Sequence, residues 1–124
     1  MIEQESKFNA DARSSTGAVG LMQLQPATAE GIALRTGGKK FVLSDLTNPE
    51  INVRYGAWYL RHLLDKYHDE RTALAAYNAG QENVDRWRVK HEQVQFPETR
   101  AYVARVERLK DIYSRAYRSA LGLG

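Results

Sequence analysis

With 124 residues, 43 % of them hydrophobic and 27 % charged, the chain has the size and composition of one globular domain able to bury a core unaided. The absence of cysteine excludes a disulfide framework and thiolate metal sites, and no segment approaches the roughly 20 apolar residues that span a bilayer. Eighteen basic against fifteen acidic residues leave +3, a weak field that fits an anionic polymer partner or ordinary solvated surface.

In chain order, Met1-Ile2-Glu3-Gln4-Glu5 reads as the end of a helix, because no Ser, Asp or Asn cap precedes its first apolar residue. No basic stretch followed by an apolar one marks a signal peptide in these residues. Both features lead to the expectation of a domain excised from a longer protein, with its first helix incomplete. Asn9 to Gly20, rich in turn formers, is expected to be a loop, with short extended pieces near Gly20 to Gln23. Pro26 suits a first helical position and Gly37-Gly38 a stop, which predicts a helix from Ala27 to Thr36. Lys39 to Thr47 is expected to be a connector.

Asn48-Pro49-Glu50 supplies a cap, a first-turn proline and a first-turn acid for a helix from Pro49 to about Tyr67. Ile51, Tyr55, Tyr59 and Leu63, flanked by Leu60, Leu64 and Tyr67, form an apolar stripe predicted to face the core. Glu70 to Ala79 is a short helix ended by Gly80, and Glu82 to Arg88 adds a turn or two around Val84 and Trp87. Lys90 to Phe96 reads as a polar connector. Pro97 opens a last helix whose stripe runs through Tyr102, Val106, Leu109, Tyr113 and Ala116 or Tyr117, with an arginine-rich outer face. The reading is a mainly α protein with little or no β, one domain over residues 1–118 and a flexible tail over 119–124.

Three segments carry the functional signal: Glu5-Ser6-Lys7-Phe8, then Gly20-Leu21-Met22-Gln23, then Ala76-Tyr77-Asn78-Ala79-Gly80. A fourth, Phe96-Pro97-Glu98-Thr99-Arg100-Ala101-Tyr102-Val103, follows them. Each is weak alone, but their order and spacing resemble the signature segments of the family 1 lytic transglycosylases. These are the soluble lytic transglycosylase or goose-lysozyme-like domains that cut peptidoglycan glycan strands. The resemblance covers about residues 1 to 115. It implies a lysozyme-like helical domain with a substrate groove, acting as a monomer in the bacterial envelope, periplasmic or extracellular. Peptidoglycan glycan is the implied partner, with no nucleic acid, no cofactor and no metal.

Cleaving a glycosidic bond needs an acid that stays protonated near neutral pH, which apolar surroundings arrange by raising a carboxyl pKa. Glu5 is the candidate, with Ile2 one turn earlier and Phe8 just after. No second carboxylate is set against it by spacing. The resemblance implies that one glutamate suffices: it protonates the bond between N-acetylmuramic acid and N-acetylglucosamine, then takes the proton of the muramoyl C6 hydroxyl. The product is a 1,6-anhydromuramoyl end.

By the same resemblance Ser14, Met22 and Gln23 line the sugar groove, Tyr77 orients the carboxyl or the sugar, and Asn78, Glu98 and Tyr102 border the site. From the residues alone, simpler readings stay open. Met22 suits core packing as well as ligand contact. Asn78 suits a helix terminus, and Glu98 a favourable helix dipole. Trp58 and Trp87 are expected in the core. His62, His68 and His91 lack ligand spacing for zinc. Two further enzyme and binding readings also stay open: a goose-type lysozyme that admits water, and a module that binds glycan without cutting it. A basic nucleic-acid binder is a third, lacking any motif.

Overall fold

The computed structural model describes residues 1–37, 41–90 and 96–120, with side chains through residue 116. Six α-helices and one 3-10 helix make up its regular structure. They are α1 (Ile2–Ser6), α2 (Pro26–Thr36), the 3-10 helix (Leu43–Thr47), α3 (Pro49–Tyr67), α4 (Glu70–Ala79), α5 (Gln81–Val89) and α6 (Pro97–Ala120). Among the described residues no strand forms. Two isolated bridges, Arg13 with Val19 and Val19 with Leu24, flank residues 20–23, which form a turn rather than the short extended pieces expected there. None of the described helices is long and apolar enough to cross a membrane. The chain divides into two compact units, residues 2–65 and 66–124.

In the first unit, α2 starts on Pro26, whose missing N–H falls where a helix has no acceptor for it. It stops at Gly37, which takes a left-handed conformation and donates its N–H to the Ala33 carbonyl. The 3-10 helix replaces part of the expected connector. Asp45 explains it, because its carboxylate accepts the Val42 N–H at 3.0 Å and fixes the turn. Residues 38–40, which include Lys39 and Lys40 of that connector, lie outside the described residues. α3 begins as expected, with Asn48 Oδ1 accepting the N–H groups of Glu50 (3.0 Å) and Ile51 (3.3 Å).

The buried face of α3 differs from the predicted stripe. Asn52, Gly56, Leu63 and Tyr67 are buried, whereas Ile51, Tyr55, Tyr59, Leu60 and Leu64 are only half-buried. Gly56 occupies the inner line because the Met22 side chain lies where its Cβ would be, and Asn52 because its amide meets the backbone of Val19, Met22 and Leu46. Leu24, Leu46, Ile32 and Ala29 are also buried in this unit. Trp58, expected in the core, is half-buried and stacks on His62, with ring centroids 5.3 Å apart. Arg35 Nη1 lies 3.4 Å from the His62 ring.

In the second unit, α4 packs against both α5 and α6. The alanines Ala73, Ala75 and Ala76, all buried with Leu74, permit that close approach. Asp69 caps α4, its carboxylate accepting the Thr72 N–H at 3.0 Å and the Thr72 hydroxyl, and these bonds hold its pKa below the ordinary value. Trp87 is buried as expected and meets Phe96 edge-on at 5.0 Å. The stripe of α6 is buried at Tyr102 and Val106 and half-buried at Leu109, but Tyr113 and Ala116 are exposed, Tyr113 by 48 %. Helical period alone does not tell how far along a helix its neighbours extend. The connector 91–95, His91 and the tail 121–124 lie outside the described residues.

A polar cluster ties α5 to the end of α3. The Tyr67 hydroxyl donates to Asp85 at 2.7 Å, and Lys66 Nζ reaches Asp85 at 3.0 Å and Gln81 at 2.9 Å. The Tyr67 hydrogen bond, followed by the Lys66 hydrogen bond and charge, outweighs burial and holds the Asp85 carboxyl below its ordinary 3.8. The contribution to stability is therefore complete above the ordinary carboxylate range and is lost as pH falls through the lower folded value. Tyr67→Phe is expected to cost about 1 kcal/mol at neutral pH, a hydrogen bond to a half-exposed charge. It should also shrink the loss of stability on acidification. Urea unfolding at pH 7 and pH 3 checks both. An equal loss at the two pH values would detach Asp85 from Tyr67.

Candidate active site

Glu5 lies half-buried in the single-turn α1. Ser6 Oγ donates to the Ile2 carbonyl at 3.1 Å, a local bond one turn back along the helix. The helix then ends abruptly. Lys7 and Phe8 both adopt left-handed backbone (φ 51° and 64°), and the Lys7 and Asn9 N–H groups bond back to the Glu3 and Ser6 carbonyls at 2.9 and 3.1 Å. Two consecutive non-glycine residues in that region cost free energy, since Cβ crowds the backbone there. Phe8, counted among the apolar neighbours of Glu5, is 61 % exposed.

The loop after α1 folds on its own hydrogen bonds. Asn9 Oδ1 accepts the Asp11 N–H at 3.0 Å, an Asx turn. Ser14 is exposed; its hydroxyl accepts the Ala18 N–H at 3.0 Å and bonds the Thr16 hydroxyl at the same distance. Gly17 and Gly20 take φ of 94° and 84°, backbone that glycine adopts without a Cβ clash. Met22 is buried, and a Cβ on Gly56 would sit 2.4 Å from its sulfur, so the side chain lies directly on the α3 backbone. Gln23 is half-buried with φ 49°. Its side-chain amide donates to the Ala12 carbonyl at 3.0 Å and to the Gly20 carbonyl at 2.8 Å. The first unit thus brings the Gly20–Gln23 segment onto the Ala12–Ser14 turn.

In the second unit Tyr77 is half-buried and Asn78 exposed at the end of α4. Asn78 Oδ1 accepts the Thr99 hydroxyl at 2.7 Å, and Thr99 is buried in the first turn of α6. That bond joins the third and fourth sequence segments, giving Asn78 the structural role left open above. Glu98, next to Thr99, is exposed, whereas Tyr102 one turn later is buried.

Sequence reasoning passed over Asn52 and Thr99. Each is a polar residue at helical spacing from apolar ones, at four residues from Gly56 and three from Tyr102. A polar side chain on an otherwise apolar face was the available signal. Among the described residues no cluster of three His, Asp or Glu side chains suits a metal ion.

The first unit thus carries a short helix bearing Glu5 and a turn lying on α3, and the second carries the Tyr77-Asn78 end of α4. Residues 1–99 match the family described as the transglycosylase SLT domain. The chain belongs to that family. The soluble lytic murein transglycosylase of Salmonella typhimurium is 35 % identical to it over 86 % of this chain and 18 % of the relative. The transglycosylase of Enterobacteria phage PRD1 is 39 % identical over 64 % of this chain and 27 % of the relative.

Two solved structures share the SLT fold with a TM-score of 0.72, each covering 82 % of this chain and 18 % of the other. One is the lytic transglycosylase Slt of Pseudomonas aeruginosa, in an inactive form with a glutamate replaced by glutamine, at 38 % identity. The other is the 70 kDa soluble lytic transglycosylase of Escherichia coli, at 32 %. The resemblance read from the sequence, and the lysozyme-like helical fold expected from it, are borne out. The chain spans between 18 % and 27 % of the length of these four proteins.

Proposed function

We propose that residues 1–118 form a catalytic domain that cleaves the β-1,4 bond between N-acetylmuramic acid and N-acetylglucosamine in peptidoglycan, in the bacterial envelope. The observation that carries the reading is the family match over residues 1–99, which includes Glu5, the Gly20–Gln23 segment and Tyr77. The Pseudomonas relative, inactive once a glutamate becomes glutamine, supports a glutamate as the essential group. Glu5 is that group in this chain. Its carboxylic acid gives a proton to the bridging oxygen as the C1–O4 bond breaks, leaving positive charge at muramoyl C1. The 2-acetamido group of the same sugar steadies that charge.

The resulting carboxylate takes the proton of the C6 hydroxyl while O6 bonds to C1, which closes the 1,6-anhydro ring and restores the acid. No water is consumed. The nucleophile belongs to the substrate, so one positioned acid/base completes the cycle. Ser14, Met22, Gln23, Tyr77, Asn78, Glu98 and Tyr102 are the sugar-binding residues of this reading. The chain acts as a monomer.

The experiment is mass spectrometry of sugars released from purified peptidoglycan. Anhydromuramoyl ends support the transglycosylase reading, reducing ends turn the domain into a goose-type hydrolase, and binding without release makes it a glycan-holding module.

Tyr77→Phe is expected to lower kcat roughly tenfold, the size of one hydrogen bond strengthened in the transition state, with the melting temperature nearly unchanged because the ring still packs. Unaltered turnover, or a melting loss that accounts for the whole effect, would make Tyr77 an ordinary packing residue.

A further inference from the structure

Asn52 is 0 % exposed, yet it carries a primary amide. Burying such a group without partners costs several kcal/mol, so its position must be matched on all sides. It is matched entirely by backbone. Oδ1 accepts the Met22 N–H at 2.7 Å, and Nδ2 donates to the Val19 carbonyl and to the Leu46 carbonyl, both at 2.9 Å. One side chain therefore holds the turn 19–22 and the 3-10 helix to α3.

The approach is sterically closed as well. A Cβ on Gly20 would lie 2.2 Å from Asn52 Nδ2, and one on Gly56, a turn further along α3, would lie 2.4 Å from Met22 Sδ. The turn can reach α3 only where both positions lack a Cβ, and Asn52 then sets its register. Gln23 follows directly. It adopts φ 49° and its Nε2 donates to the Ala12 and Gly20 carbonyls, which leaves the amide carbonyl as the acceptor of that side chain.

We propose that Asn52 is a positioning residue for glycan binding: it fixes the Val19–Met22 backbone so that Gln23 presents its carbonyl to an amide or hydroxyl hydrogen of the sugar. The inference rests on the glycan-cleaving reading above and on the role given there to Gln23.

The test is steady-state kinetics of Asn52→Ser on soluble, uncross-linked glycan strands. Serine is too short to span the three backbone groups. KM is expected to rise roughly 3- to 10-fold with kcat within about twofold, as for loss of a contact equally strong in ground and transition states. A purely structural role predicts the reverse, a smaller folded fraction that lowers apparent kcat at unchanged KM, and that result would overturn the proposal. In a Gln23→Ala background the KM effect of Asn52→Ser should disappear, whereas additive effects would also overturn it.

Should Asn52→Ser fail to fold, hydrogen exchange of the wild-type protein decides. A Met22 N–H as slow as the core of α3, with Gln23 side-chain exchange slowed further by glycan, is the supporting result. A Met22 N–H as fast as that of exposed Ser15 is the opposing one. A wild-type protein that neither binds nor cuts glycan overturns the proposed function together with this inference. Wild-type activity with KM unmoved by Asn52→Ser overturns the inference alone.

Discussion

Glu5→Gln is expected to lower the release of sugar from peptidoglycan by roughly 10²- to 10⁴-fold, the contribution of general acid–base catalysis. The amide keeps the size of the side chain and its place at the end of α1, but it neither gives a proton to the bridging oxygen nor accepts one from the C6 hydroxyl. The defect should therefore appear in kcat, with KM for glycan strands and the thermal midpoint close to those of the wild type. Glu3→Gln is the control, because two residues along a helix point to different sides. Turnover of Glu5→Gln within a factor of about two of wild type, against the catalytic contribution expected here, would remove Glu5 from its role. A parallel collapse of stability would make it a structural carboxylate.

Where helices begin and end was legible because single residues decide it. Pro26, Pro49 and Pro97 open α2, α3 and α6, while Gly37 and Gly80 follow α2 and α4 with positive φ. Each acts through a constraint that no tertiary contact is needed to express: a fixed φ without an N–H, or a backbone free of Cβ. The 3-10 helix at Leu43–Thr47 was not legible, since its determinant is one carboxylate folding back on a neighbouring N–H within a segment that otherwise reads as connector. The depth of burial along α3 and α6 was not legible either. Period 3.6 tells which side of a helix is apolar, but Asn52 and Gly56 are buried through what they face. Tyr113 is 48 % exposed on the side that the period assigns to the core.

The candidate site divides in the same way. Glu5, the Gly20–Gln23 turn and the Tyr77-Asn78 pair were found by the order of short segments, because the chemistry of a site demands specific residue types that leave a trace in sequence. The supports beneath them leave little trace. A polar residue on an apolar face is the trace that Asn52 and Thr99 leave, but it does not tell that Asn52 holds three backbone groups or that Thr99 reaches Asn78 at 2.7 Å. Distance along the chain separates these partners, and only the folded backbone brings them to bonding range.

The largest expected effect on stability belongs to Gly20→Ala. The residue has φ 84°, where an L side chain is strained by about 1–3 kcal/mol. The new methyl would also lie 2.2 Å from Asn52 Nδ2 and 2.6 Å from the Leu46 carbonyl. A flexible side-chain end could yield, but the Leu46 carbonyl is backbone, held by the same Asn52 amide, and Asn52 is buried on every side. Relief requires the turn to lift from α3, which breaks the Met22 N–H bond to Asn52 and strips Met22 from Gly56. Strain and overpacking together are expected to cost about 2–5 kcal/mol, a large share of the stability of a domain this size. Urea unfolding reads the loss as a lower midpoint at unchanged slope. Gly31→Ala serves as the control, since a Cβ there meets nothing within 4 Å and its φ is not in the left-handed range; in mid-helix it should be neutral or stabilising by up to about 1 kcal/mol. A Gly20→Ala protein as stable as wild type would mean that the turn does not depend on its close approach to Asn52.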